Sequence, residues 1–397
     1  GIAAARASVA PDLLDFLSSI LTADVDGPPE TELRSRFQQL SSAVMAKGQE
    51  DTSFFVYNRM LALNDVGHDP SRFGVSLELF HSRMQRAQAR APRAMVTTST
   101  HDAKRSEDVR ARLAVLSEMP QQWSSTVGRW RAMLAEHLSP KLDRNTEWYV
   151  FQTLVGAWPI SFERAWEHVH KAIREAKERT SWTEPDAAYE AAVERFVSAA
   201  TRAPFSAELD AFTAEILPHG RRNSLAQLVL RLTVPGVPDT YQGCELFQDV
   251  LTDPDNRGLV DFAHRRSLLE TVRTNGPGAH TDDGAKLFIL DRLLSLRRAR
   301  PGWFDRSSRY LPVRVDGEGA HNTIAYQRGE AIVVVPRLLL TDPRALHEAA
   351  LELGRPMRDV LSSARHDAGT LRVADMGELP IGVLVPEDDF PFGSDSC

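Results

Sequence analysis

Cysteine is scarce in this sequence. Its 397 residues include only Cys244 and Cys397, which are too few for a disulfide framework. The cysteine and histidine residues are not spaced as metal ligands, so we expect neither a metal ion nor another cofactor. A chain with so little cysteine fits a reducing compartment, and we expect a cytoplasmic protein.

Long apolar runs and an excess of basic charge are lacking too. No stretch approaches the roughly 20 apolar residues of a membrane span, so we expect no membrane partner. Lysine and arginine number 47 against 54 acidic residues, a net charge of -7, and the arginines are interleaved with acids. This distribution argues against a nucleic-acid partner. The hydrophobic content of 42% and the charged content of 25% are typical of globular proteins, and the length allows two or three domains.

One stretch, residues 94–108, concentrates the candidate chemistry. An apolar run at 94–96 and a hydroxyl-rich run at 97–100 predict a strand that delivers side chains to a pocket. The side chains that follow are charged or titratable: His101, Asp102, Lys104 and Arg105. Burying such a group would be costly without partners or a polar ligand, which makes the segment a candidate site.

A helix is predicted directly after this cluster. Ser106 is a favoured N-cap residue, and Glu107 and Asp108 are acids placed where the first turn of a helix favours them. Parallel α/β folds collect catalytic side chains in this order of strand, polar rim and helix, at the carboxyl ends of strands. A plainer interpretation stays open, in which a solvated helix start happens to contain a His–Asp pair.

The same arrangement is predicted at a second position. A short apolar strand at 43–46 leads into a charged cluster that contains Lys47, Glu50 and Asp51. A third short strand at 233–238 has prolines near its ends and leads to Tyr241. Three such units separated by helices predict part of a parallel barrel.

The loop at 253–258 is dense in turn-forming residues and also carries Asp255 and Arg257. A carboxylate and a guanidinium fork suit the hydroxyl groups of a sugar. Turn chemistry alone explains the loop equally well.

Hydrophobic periodicity predicts the remaining elements. The region 118–220 shows no convincing strand and is predicted to be helical. Core packing is the simplest role for its aromatic residues, and Trp182 alone is a weak candidate for stacking on a sugar. Short strands after residue 303 predict a small antiparallel β-domain. The predicted helices are 12–21, 31–40, 54–63, 77–88, 162–173, 189–196, 209–216, 225–232 and 287–294, and the predicted hairpin strands are 323–327 and 331–335.

Several strings resemble a known family. Thr100-His101-Asp102 resembles the fourth conserved region of the α-amylase superfamily, which closes the seventh barrel strand. Five longer strings occur in the order found in the maltooligosyltrehalose synthase family: 45–52, 98–108, 180–182, 235–239 and 253–257. The resemblance implies an α/β fold that comprises the C-terminal part of a (β/α)8 barrel, about strands 6 to 8, with a helical insertion and a C-terminal antiparallel β-domain.

The domain boundaries follow from this assignment. They are a barrel segment at 1–117 with about strands 6 and 7, a helical insertion at 118–220, barrel strand 8 with its helix at 221–300, and a β-domain at 301–397.

The resemblance also implies a reaction. Such enzymes are isomerases, 1,4-alpha-D-glucan 1-alpha-D-glucosylmutases, that turn the reducing-end α-1,4 linkage of a maltooligosaccharide into an α,α-1,1 linkage. Asp102 corresponds to a carboxylate that binds and distorts the transferred ring, and His101 would hydrogen-bond the same ring. Lys47 and Lys104 are candidates for a clamp on the released glucose. The other candidate substrate-binding residues are Arg105, Glu50, Asp51, Tyr241, Asp255 and Arg257; for Arg105, Glu50, Asp51 and Arg257 a structural salt bridge is at least as good an explanation.

Retaining glycosidases need a nucleophilic carboxylate and an acid/base carboxylate about 5 Å apart. In this family both precede the segment that matches Lys47, and residues 1–42 have no strand that could carry them. The chain is therefore expected to be a fragment, inactive alone, whose partners are a maltooligosaccharide and the N-terminal part of the same enzyme. Two alternatives stay open: a hydrolase or transferase of the same superfamily, and a non-catalytic glucan-binding scaffold.

Overall fold

The computed structural model of the protein describes residues 5–6, 8–275, 282–341, 344–377 and 380–392. Within these residues helices dominate up to residue 299 and strands dominate after residue 310. The helices are α1 (Pro11–Leu21), α2 (Pro28–Met45), α3 (Phe54–Val56), α4 (Leu77–Arg90), α5 (Glu107–Ala114), α6 (Pro120–Met133), α7 (Arg144–Ala157), α8 (Phe162–Ala176), α9 (Ala187–Ala200), α10 (Phe205–Thr233), α11 (Phe262–Asn275), α12 (Asp282–Ala299) and α13 (Ala345–Glu348).

The strands are short. They are β1 (Met95–Val96), β2 (Val237–Pro238), β3 (Tyr310–Pro312), β4 (Thr323–Arg328), β5 (Ala331–Pro336), β6 (Ala350–Leu353), β7 (Met357–Asp359), β8 (Arg365–His366), β9 (Gly369–Arg372) and β10 (Gly382–Pro386). No helix among the described residues combines the length and the apolar character needed to cross a membrane.

The segment at 43–46 is helical, so the strand predicted there is wrong. α2 runs through Met45 and continues as a π-helical turn, Ala46–Ser53. The sequence offers no proline or turn-forming pair at the end of α2, and the helix therefore continues. The hydroxyls of Thr52 and Ser53 each donate to the carbonyl five residues earlier, at 2.8 Å, which stabilises the wider turn.

The helix predicted at 54–63 is also wrong over most of its length. Only α3 and a 3-10 turn, Leu61–Leu63, form in this segment. Side chains bind the backbone groups that a helix would use: Asn64 Nδ2 donates to two of the carbonyls, at 2.9 and 2.8 Å. Gln152 Oε1 accepts from the first amide of the 3-10 turn at 2.9 Å. Tertiary hydrogen bonds have thus replaced the local periodic structure.

β1 and β2 form a parallel pair, as expected for neighbouring strands of an α/β fold. Met95 pairs with Val237 and Val96 with Pro238. Gly236 permits this approach: it has a φ of +131°, and a Cβ there would lie 2.4 Å from a methyl group of Val96. The pair is shorter than the strand predicted at 94–100, because residues 97–105 form a turn instead.

The helical prediction for the middle of the chain is confirmed at the level of its elements. α6 to α9 surround a core in which Trp130, Phe151 and Phe196 are fully buried. The segments 209–216 and 225–232, predicted as separate helices, are one helix, α10, of 29 residues with Pro218 inside it. The helices predicted at 12–21, 31–40, 77–88, 162–173, 189–196 and 287–294 are all present.

The C-terminal strands are antiparallel, as predicted. β4 and β5 pair across the turn at Gly329, with Arg328 opposite Ala331. They belong to a six-stranded sheet with the order β3-β4-β5-β10-β7-β8, and β6 and β9 form a separate pair. One face of the large sheet packs on α10 and α12 through Tyr326, Val333 and Val335, so the sheet supports the helices that hold the polar rim.

Candidate active site

The turn between β1 and α5 presents His101 and Asp102 to solvent. Their side chains are 66% and 57% exposed, and His101 Nε2 lies 3.2 Å from Asp102 Oδ2. The backbone amide of Asp102 donates to Thr100 Oγ1 at 3.2 Å. Arg257 Nη2 lies 3.3 Å from Asp102 Oδ1, so the structure brings these two predicted site residues together. The carboxylate keeps room for a ligand on its open side.

Asn256 holds the outside of this turn. Its Nδ2 donates to the carbonyl oxygens of His101 at 3.2 Å and Ala103 at 3.3 Å, and it lies 3.5 Å from that of Thr100. The Tyr241 hydroxyl donates to the Asn256 carbonyl at 3.1 Å. Sequence reasoning missed Asn256, since an asparagine between two charged residues in a turn-rich loop reads as turn chemistry.

Arg110 holds the inside of the same turn. Its Nη1 donates to the Arg105 carbonyl at 2.6 Å and to Asp65 Oδ2 at 2.7 Å, and its Nη2 donates to the Thr98 carbonyl. The Arg105 amide also donates to Asp65 at 3.3 Å. One guanidinium therefore fixes both ends of the segment that carries His101 and Asp102.

A buried charge cluster lies beneath the turn, at the start of α5. Ser106 caps the helix as predicted, accepting from the Val109 amide. Lys286 Nζ lies 3.0 Å from Glu107 and 2.8 Å from Asp108, and Arg231 lies 2.9 Å from Glu107. Both carboxylates are almost fully buried, so a solvated helix start is not what the structure shows.

The charged groups in this cluster shift each other's pKa values. Burial would raise the pKa of Glu107, but Lys286 and Arg231 outweigh burial and hold that pKa below its usual value. Burial raises the pKa of Asp108 despite the same lysine. Burial would lower the pKa of Lys286, yet the two carboxylates raise it. The cluster supports the turn from below, and its side chains are too deeply buried to contact a ligand.

Asp51 joins the two lysines predicted as a clamp. Lys104 Nζ donates to Asp51 Oδ1 at 2.9 Å, and Lys47 Nζ donates to Oδ2. Burial would raise the pKa of Asp51, but both lysines lower it. The hydrogen bond to Asp51 raises the pKa of Lys47, and the carboxylates of Glu175 and Asp102 add to the effect. Lys104 is nearly buried, whereas the Lys47 side chain is 77% exposed, so of the two lysines Lys47 is the one accessible to a ligand.

Three predicted substrate-binding residues face the protein. Asp255 accepts a bidentate pair from Arg164 at 2.9 and 2.8 Å and the Leu251 amide at 2.8 Å, so its oxygens are occupied. Arg105 is fully buried, with its guanidinium 5.3 Å from the centre of the Tyr149 ring, and cannot touch a ligand at the rim. The Tyr241 hydroxyl is used in its hydrogen bond to the Asn256 carbonyl. Glu50 lies half-buried in the π-helical turn.

The chain is similar to known proteins in sequence and in structure. It is 39% identical over 334 residues to a Mycobacterium tuberculosis protein named "Putative maltooligosyl trehalose synthase", across 82% of this chain and 41% of that protein. The solved maltooligosyltrehalose synthase from Arthrobacter ramosus matches with a TM-score of 0.85 and 37% identity, across 97% of this chain and 50% of that one. The chain belongs to the maltooligosyltrehalose synthase family.

A structure from Sulfolobus tokodaii described as a "hypothetical maltooligosyl trehalose synthase" matches this member of the maltooligosyltrehalose synthase family with a TM-score of 0.72 and 30% identity, across 88% of this chain and 46% of that one. No protein-family model matches the sequence. The chain spans about half the length of the relatives it matches, at 41% and 50%. The resemblance stated from motifs is thus confirmed for the family.

The described residues of this family member contain no group of three or more His, Cys, Asp or Glu side chains that could hold a metal ion. The rim instead offers an open carboxylate, an imidazole, a guanidinium and an exposed ammonium. These groups can bind and orient the hydroxyls of a polar, uncharged ligand.

Proposed function

We propose that the full-length enzyme containing this chain is an intramolecular transglucosylase that converts the reducing-end α-1,4 linkage of maltooligosaccharides into an α,α-1,1 linkage. The observation that carries the proposal is the family membership together with the Thr100–Ala103 turn, whose Asp102 is open to a ligand while its backbone is fixed on both sides. Maltooligosaccharides are the proposed substrates.

The open rim suggests a role for each exposed side chain. Asp102 accepts hydrogen bonds from hydroxyls of the transferred glucosyl ring, and its charge favours the flattened, positively charged ring of the transition state. His101 hydrogen-bonds the same ring. Lys47 holds the released glucose, and Lys104 fixes Asp51 so that Lys47 is correctly placed.

The reaction balances without water. The bond between the anomeric carbon and O4 of the terminal glucose breaks, O4 receives a proton from the acid, and a carboxylate nucleophile carries the glucosyl group. The released glucose then attacks through its anomeric hydroxyl, whose proton returns to the base. Holding that glucose in place raises its effective concentration over water.

We assign the nucleophile and the acid/base to the part of the enzyme outside this chain. A glycosidase acid needs a raised pKa. Asp51 and Asp253 are rim carboxylates paired with lysines. Burial would raise their pKa values, but Lys47 and Lys104 lower the pKa of Asp51, and Lys171 lowers the pKa of Asp253. These residues suit ion pairs better than proton donation, and we expect this chain alone to be inactive.

We further propose that β1 and β2 are neighbouring strands of a (β/α)8 barrel that the rest of the enzyme completes. Their parallel register and the preceding helix α10 fit that architecture. Met95 is 71% exposed and Val237 48%, which fits strands that a further layer of the enzyme covers.

The test is product analysis with the full-length enzyme and maltopentaose. We expect loss of reducing ends and a product with a terminal trehalose unit, and no turnover by this chain alone. Free glucose as the main product would indicate a hydrolase instead. Glucan binding without any turnover, even by the full-length protein, would indicate a scaffold.

A further inference from the structure

Trp182 is the most exposed tryptophan among the described residues, and the Asp102 rim does not use it. The residue is 54% exposed, in the loop between α8 and α9. Its Nε1 donates to Glu175 Oε1 at 2.9 Å, so the polar edge of the indole is already satisfied. Arg174 lies over the ring, and the rest of the exposed surface is flat and apolar, which is the part of an indole that stacks on the C–H faces of sugars.

The indole is held in a defined position. The Arg174 guanidinium lies 4.9 Å from the ring centre, and the His170 ring lies 6.4 Å away. Glu190 fixes both neighbours: it accepts two hydrogen bonds from Arg174 at 2.8 Å and lies 3.2 Å from His170. Thr180, just before the loop, donates to the same carboxylate at 2.6 Å. An exposed ring with supported neighbours loses little conformational entropy when a ligand covers it.

The indole is also continuous with the Asp102 rim. Lys177, which directly follows α8, donates from Nζ to Thr52 Oγ1 at 3.3 Å, and Thr52 lies in the π-helical turn that carries Lys47. On the other side, Lys171 Nζ lies 2.8 Å from Asp253, and Asp253 lies 3.9 Å from Arg257, the partner of Asp102. α8 therefore carries the tryptophan loop along the edge of the candidate site.

We propose that Trp182 stacks on a glucosyl unit of the maltooligosaccharide outside the pair of rings that reacts. The proposal rests on the proposed function, because it places the reacting rings at Asp102. The occupant is an α-glucan chain, because the Nε1 of the indole is paired with Glu175 and the exposed remainder of the ring offers an apolar surface that suits the C–H face of a sugar.

The test is the dependence of kcat/KM on chain length, from maltotriose to maltoheptaose, in the full-length enzyme. In Trp182→Ala we expect a loss that grows with chain length to about tenfold, the size of one aromatic stacking contact of about 1.4 kcal/mol. The loss should lie in KM, with kcat nearly constant. Trp182→Phe should recover most of it.

Phe73→Ala is the matched control, because Phe73 is a similarly exposed ring, with Arg59 lying 5.2 Å from its centre. Its effect should be independent of chain length. An equal loss at every length in Trp182→Ala, or none, would overturn the proposal. If the wild-type enzyme makes no trehalosyl product, the proposed function fails; calorimetric affinities of maltotriose and maltoheptaose for the same variants then decide the Trp182 contact.

Discussion

Asp102 and Asp108 stand at opposite ends of one short segment and have opposite environments. Asp102 is mostly exposed and has one arginine beside it, whereas Asp108 is buried against Lys286 and the Gln248 amide. Desolvating a carboxylate is costly unless a cation and hydrogen bonds compensate, so the buried one is committed to the fold. The exposed one stays open to a ligand. The comparison teaches that two acids separated only by the start of a helix differ in what their surroundings allow: burial commits Asp108 to the stability of the fold, and exposure leaves Asp102 available for binding.

The largest expected effect is the loss of turnover when Asp102 is changed. Asp102→Asn should lower kcat of the full-length enzyme by about 10³-fold, equivalent to about 4 kcal/mol, because it removes charge at the developing cationic ring. The free energy of unfolding should stay the same within about 0.5 kcal/mol. Asp316→Asn is the control, since Asp316 is exposed to a similar degree and is paired with Arg314. Activity within a few-fold of wild type would remove Asp102 from the site.

Substitutions in the buried cluster should lower the stability of the fold, which the change at Asp102 should leave intact. Lys286→Met leaves Glu107 and Asp108 without their shared cation and should reduce the free energy of unfolding by about 3 kcal/mol. Arg273→Met breaks a more exposed pair with Asp291 and should cost less than about 1 kcal/mol. Urea unfolding curves measure both. Equal midpoints would contradict the structural role of the cluster.

Asn256 links the two regions, since it is buried yet holds the exposed turn. Asn256→Ala should lower kcat about tenfold, measured at a temperature where the variant is still fully folded. The reason is that the turn carrying Asp102 loses the hydrogen bonds that the Asn256 amide donates. Asn322→Ala is the control, because Asn322 is also buried and donates to the Arg337 and Leu338 carbonyls in the sheet region. It should lower the melting temperature without changing kcat, and a fall in kcat there would show that the effect is not specific to the turn.

Glu190 is a carboxylate paired with a cation, like Asp108, and its contribution to stability should depend on pH. The hydrogen bond from Arg174 lowers the pKa of Glu190 to about 2. Its ionised form therefore stabilises the fold fully above about pH 4.5, its ordinary range, and this contribution disappears as the pH falls toward 2. Glu190→Gln should remove about 2 kcal/mol at pH 7, and the difference from wild type should vanish near pH 2. Unfolding curves across this range are the measurement.

The smallest effect concerns Cys244, which packs beside the buried cluster. Burial raises the pKa of the Cys244 thiol to about 12, so almost no thiolate exists at neutral pH. In a Cys397→Ser variant, a thiol reagent should label nothing until denaturant is added. Labelling of the native protein at neutral pH would show that the region opens.

Local sequence was sufficient where local chemistry decides structure. The Ser106 cap and the hairpin across Gly329 follow from capping, turn and strand preferences. It was insufficient where the deciding partner is remote: Lys286 lies 178 residues from Asp108. No local pattern identifies that lysine as the cation that buries the start of α5.

The misassigned elements have the same cause. The run rich in Phe, Tyr and Leu at 54–63 predicted a helix, but Asn64 and Gln152 form hydrogen bonds with backbone groups that the helix would have used. The charged and titratable residues between His101 and Arg105 were predicted to share one polar rim. The turn points His101 and Asp102 outward and Arg105 inward, so adjacency in sequence did not mean a shared surface.

α2 has 18 residues and not one of them is buried. Isolated helices of this length are marginal in water unless an apolar face is covered. Leu33, Phe37 and Leu40 form such a face and remain exposed. We therefore expect the position of α2 to depend on what packs against this face. Through the π-helical turn that follows α2, a change in that packing would reach Lys47, the residue proposed to hold the released glucose.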